Sequence, residues 1–182
     1  MPNYIYCAQS LDGYIAREDG NLDWLISIPN PDGSDYGFSA FMKKVDAVVM
    51  GRNTFEMVQS FGQWPYTIPV FVLSSTLKEL EEGYRDKAEV ISGRPLEIVT
   101  KLKSKGYQNL YIDGGKTIHA FLEADLIDEF IISTAPVILG RGIPLFPHLN
   151  RTVNLDLKSS EKLGTQLVKN SYIRIKGAKE KA

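Results

Sequence analysis

The chain has 182 residues, 43% hydrophobic and 24% charged, with a net charge of −1. A chain of that size and composition can bury roughly 70% of its unfolded surface and needs no metal or disulfide staple. The near-neutral charge excludes an electrostatic case for nucleic acid or an anionic membrane.

Cys7 is the only cysteine. It cannot form an internal disulfide, which fits a reducing compartment. Its apolar setting, Tyr4-Ile5-Tyr6-Cys7-Ala8, favours a buried structural thiol over a nucleophile. Met1-Pro2-Asn3 has neither a basic nor an apolar signal segment, and no apolar run approaches the roughly 20 residues of a membrane span. A cytoplasmic protein is expected, with one domain over residues 1–176 and a frayed tail over 177–182.

In chain order, Tyr4 to Ala8 reads as a buried first strand. A loop follows, with turns at Asp12-Gly13 and Asp19-Gly20. Phe38, Phe41, Met42 and Val45 fall at i, i+3, i+4 and i+7, one face of a helix that Ser34 or Asp35 could cap. Ala47 to Met50 is a strand ended by Gly51, and Thr54 to Phe61 reads as a helix. Val70 to Leu73 is the next strand, closed by Ser74-Ser75. Ala88 to Ile91 is another. Pro95 opens a helix carrying Leu96, Val99 and Leu102, and Gly106 ends it. Leu110 to Ile112 is a strand running into Asp113-Gly114-Gly115. Ile118, Phe121 and Leu122 mark the helix behind it. Ile127 to Val137 is apolar and extended.

Beyond Phe146 the texture changes. Val153, Leu155 and Leu157 alternate with polar residues, as do Ile173 and Ile175, which reads as half-exposed antiparallel strands. Strand–helix units followed by strands alone predict an α/β fold. Its sheet is mostly parallel, with helices on both faces and an antiparallel C-terminal edge.

In such a sheet, ligands bind outside the carboxyl ends of the strands. Three of those ends are unusual. Gly51-Arg52-Asn53-Thr54 joins a strand to a helix, where backbone N–H groups attract phosphate and arginine adds a bidentate donor. An ordinary turn with an exposed arginine is the plainer alternative. Ser74-Ser75 offers two hydroxyls to a phosphate or ribose, or equally caps a helix over Leu77 to Leu80. Asp113-Gly114-Gly115-Lys116-Thr117 lets backbone approach a pyrophosphate at a helix start, or is a tight turn. Together the three suit a dinucleotide.

Five segments carry a family resemblance. They are Ala8-Gln9-Ser10-Leu11-Asp12-Gly13-Tyr14-Ile15-Ala16, Met50 to Glu56, Val72 to Ser75, Asp113 to Gly115, and Asp128-Glu129 followed by Pro136 to Phe146. In this order the chain resembles the dihydrofolate-reductase-like superfamily. It is most similar there to the C-terminal reductase domain of the bifunctional riboflavin-biosynthesis deaminase-reductase and its stand-alone relatives. The resemblance implies a three-layer dihydrofolate-reductase-like fold and an NADPH-dependent reduction of a pyrimidine or related heterocycle, as in 5-amino-6-(5-phosphoribosylamino)uracil reductase. It implies that the Ala8 backbone holds the nicotinamide carboxamide and that Ile15 lies near the ring. Arg52 and Ser74 would bind the 2′-phosphate, Thr54 would meet the pyrophosphate, and Gly114, Gly115, Lys116 and Thr117 would cradle it. Gly51 and Ser75 are further candidates for cofactor contact. The loop Ser10 to Trp24 would cover the active site. Gly140 to Phe146 would lie near the substrate or at a contact of the homodimer that the resemblance also implies.

True dihydrofolate reductases place an acid on the helix after the active-site loop. Here the nearest candidates are Asp35 and Asp32, which do not align cleanly with Phe38 and Phe41. Asp35 is the candidate catalytic acid, with a helix cap as its plainer role. Asp12, Trp24, Ser133 and Thr134 are candidates for substrate contact. The plainer readings are a turn for Asp12, a core aromatic for Trp24, and backbone hydrogen bonding for Ser133 and Thr134. His119 and His148 make no metal pattern with any nearby Cys or carboxylate. The competing functions are a dihydrofolate reductase and a nucleotide-binding module without turnover.

Overall fold

The computed structural model describes residues 2–146 and 148–176. The expected tail over 177–182 lies outside the described residues. The first strand, β1, spans Asn3–Gln9. Then come β2 (Tyr14–Ala16), α1 (Asp23–Ile26), α2 (Phe38–Met42), β3 (Ala47–Gly51), α3 (Arg52–Ser60) and β4 (Val70–Leu73). After a single 3-10 turn at Glu82–Tyr84 follow β5 (Ala88–Ile91), α4 (Pro95–Ser104), β6 (Leu110–Asp113) and α5 (Gly115–Glu123). The chain closes with β7 (Glu129–Thr134), β8 (Ile143–Pro144), β9 (Leu155–Leu163) and β10 (Leu167–Arg174).

Eight strands run in the order β5-β4-β3-β6-β1-β7-β10-β9. The pairs β4–β5, β3–β4, β3–β6 and β1–β6 are parallel, and β10 is antiparallel to both β7 and β9. This is the expected mixed α/β fold with a mostly parallel sheet and an antiparallel C-terminal edge.

Contacts among the described residues define two compact units, one of residues 2–4 and 38–126, the other of residues 5–37 and 127–176. In the first unit, Ala47, Val48, Val49 and Met50 have no exposed surface. A continuous β-branched and apolar run suits a parallel strand covered on both sides. Ile98, Val99 and Leu102 of α4 and Ile118, Phe121 and Leu122 of α5 complete this core. Tyr4 and Tyr111 each meet Phe41 edge-on, with ring centroids 5.9 and 5.1 Å apart.

In the second unit, Trp24, Ala135 and Leu167 form a buried cluster, against which Ala8, Leu25, Ile28, Tyr36, Val137, Leu139 and Leu163 pack. The short strands β2 and β8 pair antiparallel, Tyr14 with Pro144 and Ala16 with Ile143.

Several local expectations are corrected. Only Asn3 to Ile5 of β1 are buried, and Cys7 is half-buried. Leu96 is 62% exposed, because Ile98, not Leu96, shares the inner face of α4 with Val99 and Leu102. Helix α3 begins at Arg52, two residues early. Residues 77–80 are not helical, so Ser74 caps no helix and closes a turn. Just before α2, Asp35 Oδ1 accepts the Gly37 N–H at 2.8 Å, two residues on, and Ser34 Oγ accepts the Tyr36 N–H in the same way. Val153 precedes β9, and β9 is exposed along nearly its whole length rather than half-buried.

Candidate active site

In the first unit, the carboxyl ends of β3, β4 and β6 line up. Gly51 pairs with Leu73 and Met50 with Asp113. The three segments singled out above therefore leave the sheet side by side. Helix α3 starts from Gly51 and helix α5 from Gly114, and neither N-cap residue supplies a side-chain cap. The first-turn N–H groups of both helices are thus without a side-chain cap partner, and the dipoles of two nine-residue helices favour an anion in front of them.

The two helix starts interlock. A Cβ built on Gly51 would lie 2.9 Å from Thr117 Oγ1, and one on Gly114 would collide with Thr54 Oγ1. Gly114 also has φ +85, a conformation that side-chain-bearing residues rarely adopt. Thr117 is buried, so its hydroxyl works inside this contact. Lys116 is exposed and Gly115 half-buried.

Arg52 lies at the open start of α3, with its Nε 2.6 Å from Glu56 Oε1 and both side chains about half exposed. Ser74 Oγ accepts from the N–H groups of Thr76 and Leu77 at 3.2 and 3.0 Å. Ser75 beside it is exposed. Asp113 was not singled out from the sequence as a site residue. Its Oδ1 accepts the Gly114 N–H at 2.8 Å, and the Tyr66 hydroxyl donates to Oδ2 over 3.4 Å. Burial pushes the Asp113 carboxyl above the usual carboxylate range, opposed by the Gly114 N–H and the tyrosine hydroxyls. The Tyr66 hydroxyl is pushed up too, first by burial and then by the Asp113 charge. Nothing in the loop sequence Gln63-Trp64-Pro65-Tyr66 signals that partnership.

In the second unit, Asp12 is fully engaged. Its Oδ1 accepts from Ser10 Oγ at 2.6 Å and from the Leu139 N–H at 3.0 Å, and its Oδ2 from the Gly140 N–H at 2.7 Å. The Ser10 hydroxyl holds its carboxyl below the usual range against the cost of desolvation, and the Leu139 and Gly140 N–H groups add to the lowering. The Leu145 N–H donates to the Gly13 carbonyl at 2.9 Å and the Leu11 N–H to Val137 at 2.7 Å. The motif around Asp12 and the one around Gly140 thus form one clasp. Ile15 is half-buried in β2 within it.

Trp24 is 5% exposed. It lines a cavity of about 440 Å³ together with Arg17, Asp23, Ile28, Ala135 and Gln166, among others. The indole N–H of Trp24 has no hydrogen-bond partner among the described residues. Ala8 packs against the same cluster. Ser133 is buried, and Thr134 Oγ1 accepts from Gln9 Nε2 at 3.3 Å. Asp35 is exposed. Near it the Tyr6 hydroxyl donates to the Tyr36 carbonyl at 2.8 Å, and burial, then the Asp35 and Glu161 charges, push its pKa up to about 12.

The structure thus gathers Gly51, Arg52, Thr54, Gly114, Gly115, Lys116, Thr117, Ser74 and Ser75 at the strand ends of one unit. It gathers Ala8 and Trp24 around one cluster of the other. Arg17, Asp23 and Gln166 line the same cavity and were not singled out from the sequence, since charged and amide residues in a polar loop carry no signal of their own. Among the described residues, no group of three or more His, Cys, Asp or Glu gathers as a metal site. Among them, no helix is long and apolar enough to cross a membrane.

A family model described as the RibD C-terminal domain matches residues 4–169. The uncharacterized protein YwjB of Bacillus subtilis (strain 168) is 38% identical over 176 residues, covering 93% of this chain and 96% of YwjB. A crystal structure from Shewanella sp. PV-4, of a protein named for riboflavin biosynthesis, superposes with a TM-score of 0.92 at 48% identity, covering 96% of this chain and 99% of that one. The dihydrofolate reductase of Enterococcus faecalis superposes with a TM-score of 0.61 at 20% identity, covering 95% and 96%, which is a likeness of fold.

Proposed function

The chain belongs to the RibD C-terminal domain family, and from that premise we propose that it is an NADPH-dependent reductase of a small heterocycle, of the riboflavin-pathway pyrimidine type. The observation that carries this reading is the pair of uncapped helix starts at Gly51 and Gly114, interlocked through Thr54 and Thr117. Two converging N-termini with glycine at each approach suit a pyrophosphate.

The residues present fit the cofactor. The first turns of α3 and α5 would hold the pyrophosphate through backbone N–H groups, with Thr54 beside them. Gly51, Gly114 and Gly115 leave room for close approach, and Lys116 adds an exposed cation. Thr117 holds α5 against Gly51 from within. Arg52, with Ser74 and Ser75, would take the 2′-phosphate, the guanidinium offering a permanent bidentate donor. The Ala8 backbone and Ile15 are assigned to the nicotinamide. When bound, the reduced cofactor supplies a hydride to an electrophilic carbon, and a proton must reach the neighbouring heteroatom.

The chain's part is alignment and exclusion of water. Trp24 and its cavity are assigned to the heterocycle, with Ser133 and Thr134 further along β7. Asp12 serves by holding the clasp that fixes Ile15 and Gly140. The dihydrofolate reading is weaker. Its catalytic acid would have to be Asp35, which is exposed and bonded to its own turn. We also propose a homodimer, and a cytoplasmic setting for the lone thiol.

Titration with NADPH and NADH, followed by cofactor fluorescence, tests the reading. Saturable binding with NADPH preferred is expected, then NADPH oxidation with a pyrimidine substrate. Binding of neither cofactor withdraws it. Binding without oxidation across a substrate panel leaves a nucleotide-binding module.

A further inference from the structure

Asp113 ends β6 just before the α5 N–H groups assigned to the pyrophosphate, and the reductase reading gives its carboxyl no task. It pairs with Met50, the residue before Gly51, so it lies beside both helix starts.

The donors around that carboxyl are all neutral. The Gly114 N–H meets Oδ1 at 2.8 Å, the Tyr66 hydroxyl meets Oδ2 at 3.4 Å, and the Tyr111 hydroxyl of β6 joins them. Among the described residues no cation pairs with it. Of the charged side chains at the helix starts, Arg52 is bonded to Glu56 at 2.6 Å and Lys116 is exposed. The Thr54 hydroxyl of α3 packs against Gly114, and His119 lies half-buried a turn further along α5. Tyr66 is itself buried, its ring edge-on to Phe38 and Trp64 at 6.3 and 5.3 Å, so Oδ2 faces a buried phenol rather than water.

While the site is empty, the three donors support an ionised carboxyl against its burial. A pyrophosphate would bring two negative charges to the next N–H groups along the chain. Like charges at close range disfavour ionisation of the weaker acid, which here is the carboxyl. Few water molecules are present to screen them.

We propose that cofactor binding at the paired helix starts is coupled to the uptake of one proton by Asp113, so that the site holds the nucleotide at lower pH and releases it at higher pH. The coupling rests on the reductase reading for the identity of the ligand. The proton comes from solvent and the only bond made is the O–H. The remaining carbonyl oxygen still accepts the Gly114 N–H, and the new O–H can donate to the Tyr66 oxygen. Affinity is then greatest below the pKa of Asp113 in the empty site and falls as pH rises from that value to the higher one in the complex.

The test is isothermal titration of the full chain with NADPH from about pH 5 to 9, a span that covers buried carboxyls. Each pH is run in two buffers of different ionisation heat, which counts the protons taken up. Asp113→Asn is isosteric and cannot ionise. The difference between it and wild type cancels any proton taken by the 2′-phosphate of the cofactor or by His119. Wild type is expected to take up as much as one proton more than Asp113→Asn. It should also lose affinity by about tenfold per pH unit over a window in which the variant changes less. At the alkaline end Asp113→Asn should bind NADPH more tightly than wild type. Tyr66→Phe removes a donor that favours the ionised carboxyl, and should move the fall in affinity to higher pH. If Asp113→Asn does not fold, that shift decides, and an unmoved curve overturns the inference. Equal proton counts in wild type and Asp113→Asn overturn it, as does weaker binding by the variant at the alkaline end. NADPH binding without the extra proton sinks the coupling alone, whereas binding of neither NADPH nor NADH at any pH sinks the reductase reading and the coupling with it.

Discussion

Thr54, in the first turn of α3, occupies the space that a side chain at Gly114 would need, and Gly114 is the residue from which α5 starts. Thr117 of α5 stands in the same relation to Gly51, the residue from which α3 starts. Each helix therefore enters the sheet by way of the other.

Gly114→Ala should be costly on two grounds, the positive φ and the collision with Thr54. A loss of about 1–3 kcal/mol is expected in urea unfolding, together with weakened NADPH binding. Adding Thr54→Ala should recover part of the stability, since it removes the nearest atom. If the single variant is as stable as wild type, the interlock is not as described.

Arg52 and Glu56 form an exposed i,i+4 pair. Such a pair is worth only about 0.3–0.5 kcal/mol, so Arg52→Ala should barely change unfolding. It should cut the preference for NADPH over NADH by about tenfold or more, as loss of a charge-assisted hydrogen bond would. Glu56→Gln should do the reverse, freeing the guanidinium and tightening NADPH alone. An unchanged cofactor ratio in Arg52→Ala would mean that another residue reads the 2′-phosphate.

The carboxyl of Asp12 is held below its ordinary value of 3.8. A depressed carboxyl stabilises the fold above the unfolded-state pKa, and that stabilisation is lost as pH falls through the lower folded-state value. The clasp should therefore be intact at neutral pH and open only below about pH 4. Hydrogen exchange at the Leu139 and Gly140 amides reports it directly. Asp12→Asn, with one acceptor oxygen in place of two, should speed exchange at neutral pH and abolish the acid dependence.

Tyr6 contributes, beside Tyr66, to the alkaline limb. Its hydroxyl is held protonated up to about pH 12, whereas an unfolded tyrosine ionises near 10. Stability from this group is complete below pH 10 and falls as the unfolded state alone gives up its proton between those values. Tyr6→Phe should flatten that slope and cost about 1 kcal/mol at neutral pH for the lost bond to the Tyr36 carbonyl. A slope that Tyr6→Phe leaves unchanged would assign the alkaline loss to Tyr66 alone.

Light scattering tests the proposed homodimer. A mass near twice the 20.4 kDa chain is expected at working concentration, and a monomer mass rejects it.

The parallel strands were legible because burial on both faces writes them as short unbroken apolar runs, Ala47 to Met50 and Val70 to Leu73. The strand ends were legible because glycine at a strand–helix junction is a local necessity. Asp35 was legible only as a local acceptor, because an Asx turn and a helix cap use the same side chain and differ only in where the next residues go. Leu96 misled because a spacing of three also matches the outer edge of a helix face. The Arg17–Asp23 fork and the Tyr66–Asp113 contact were invisible, since each is a meeting in space between residues whose local sequence signals only a loop or a turn.

The clasp around Asp12 is asymmetric in what it demands of inheritance. One partner is a specific carboxylate, and the others at 139 and 140 are peptide N–H groups that almost any residue provides. Position 12 should thus resist change, whereas at position 139 the clasp accepts any N–H and only the packing of the side chain against the Trp24 cluster limits the choice. Proline is the exception, because it alone arrives without the hydrogen that Asp12 is waiting for.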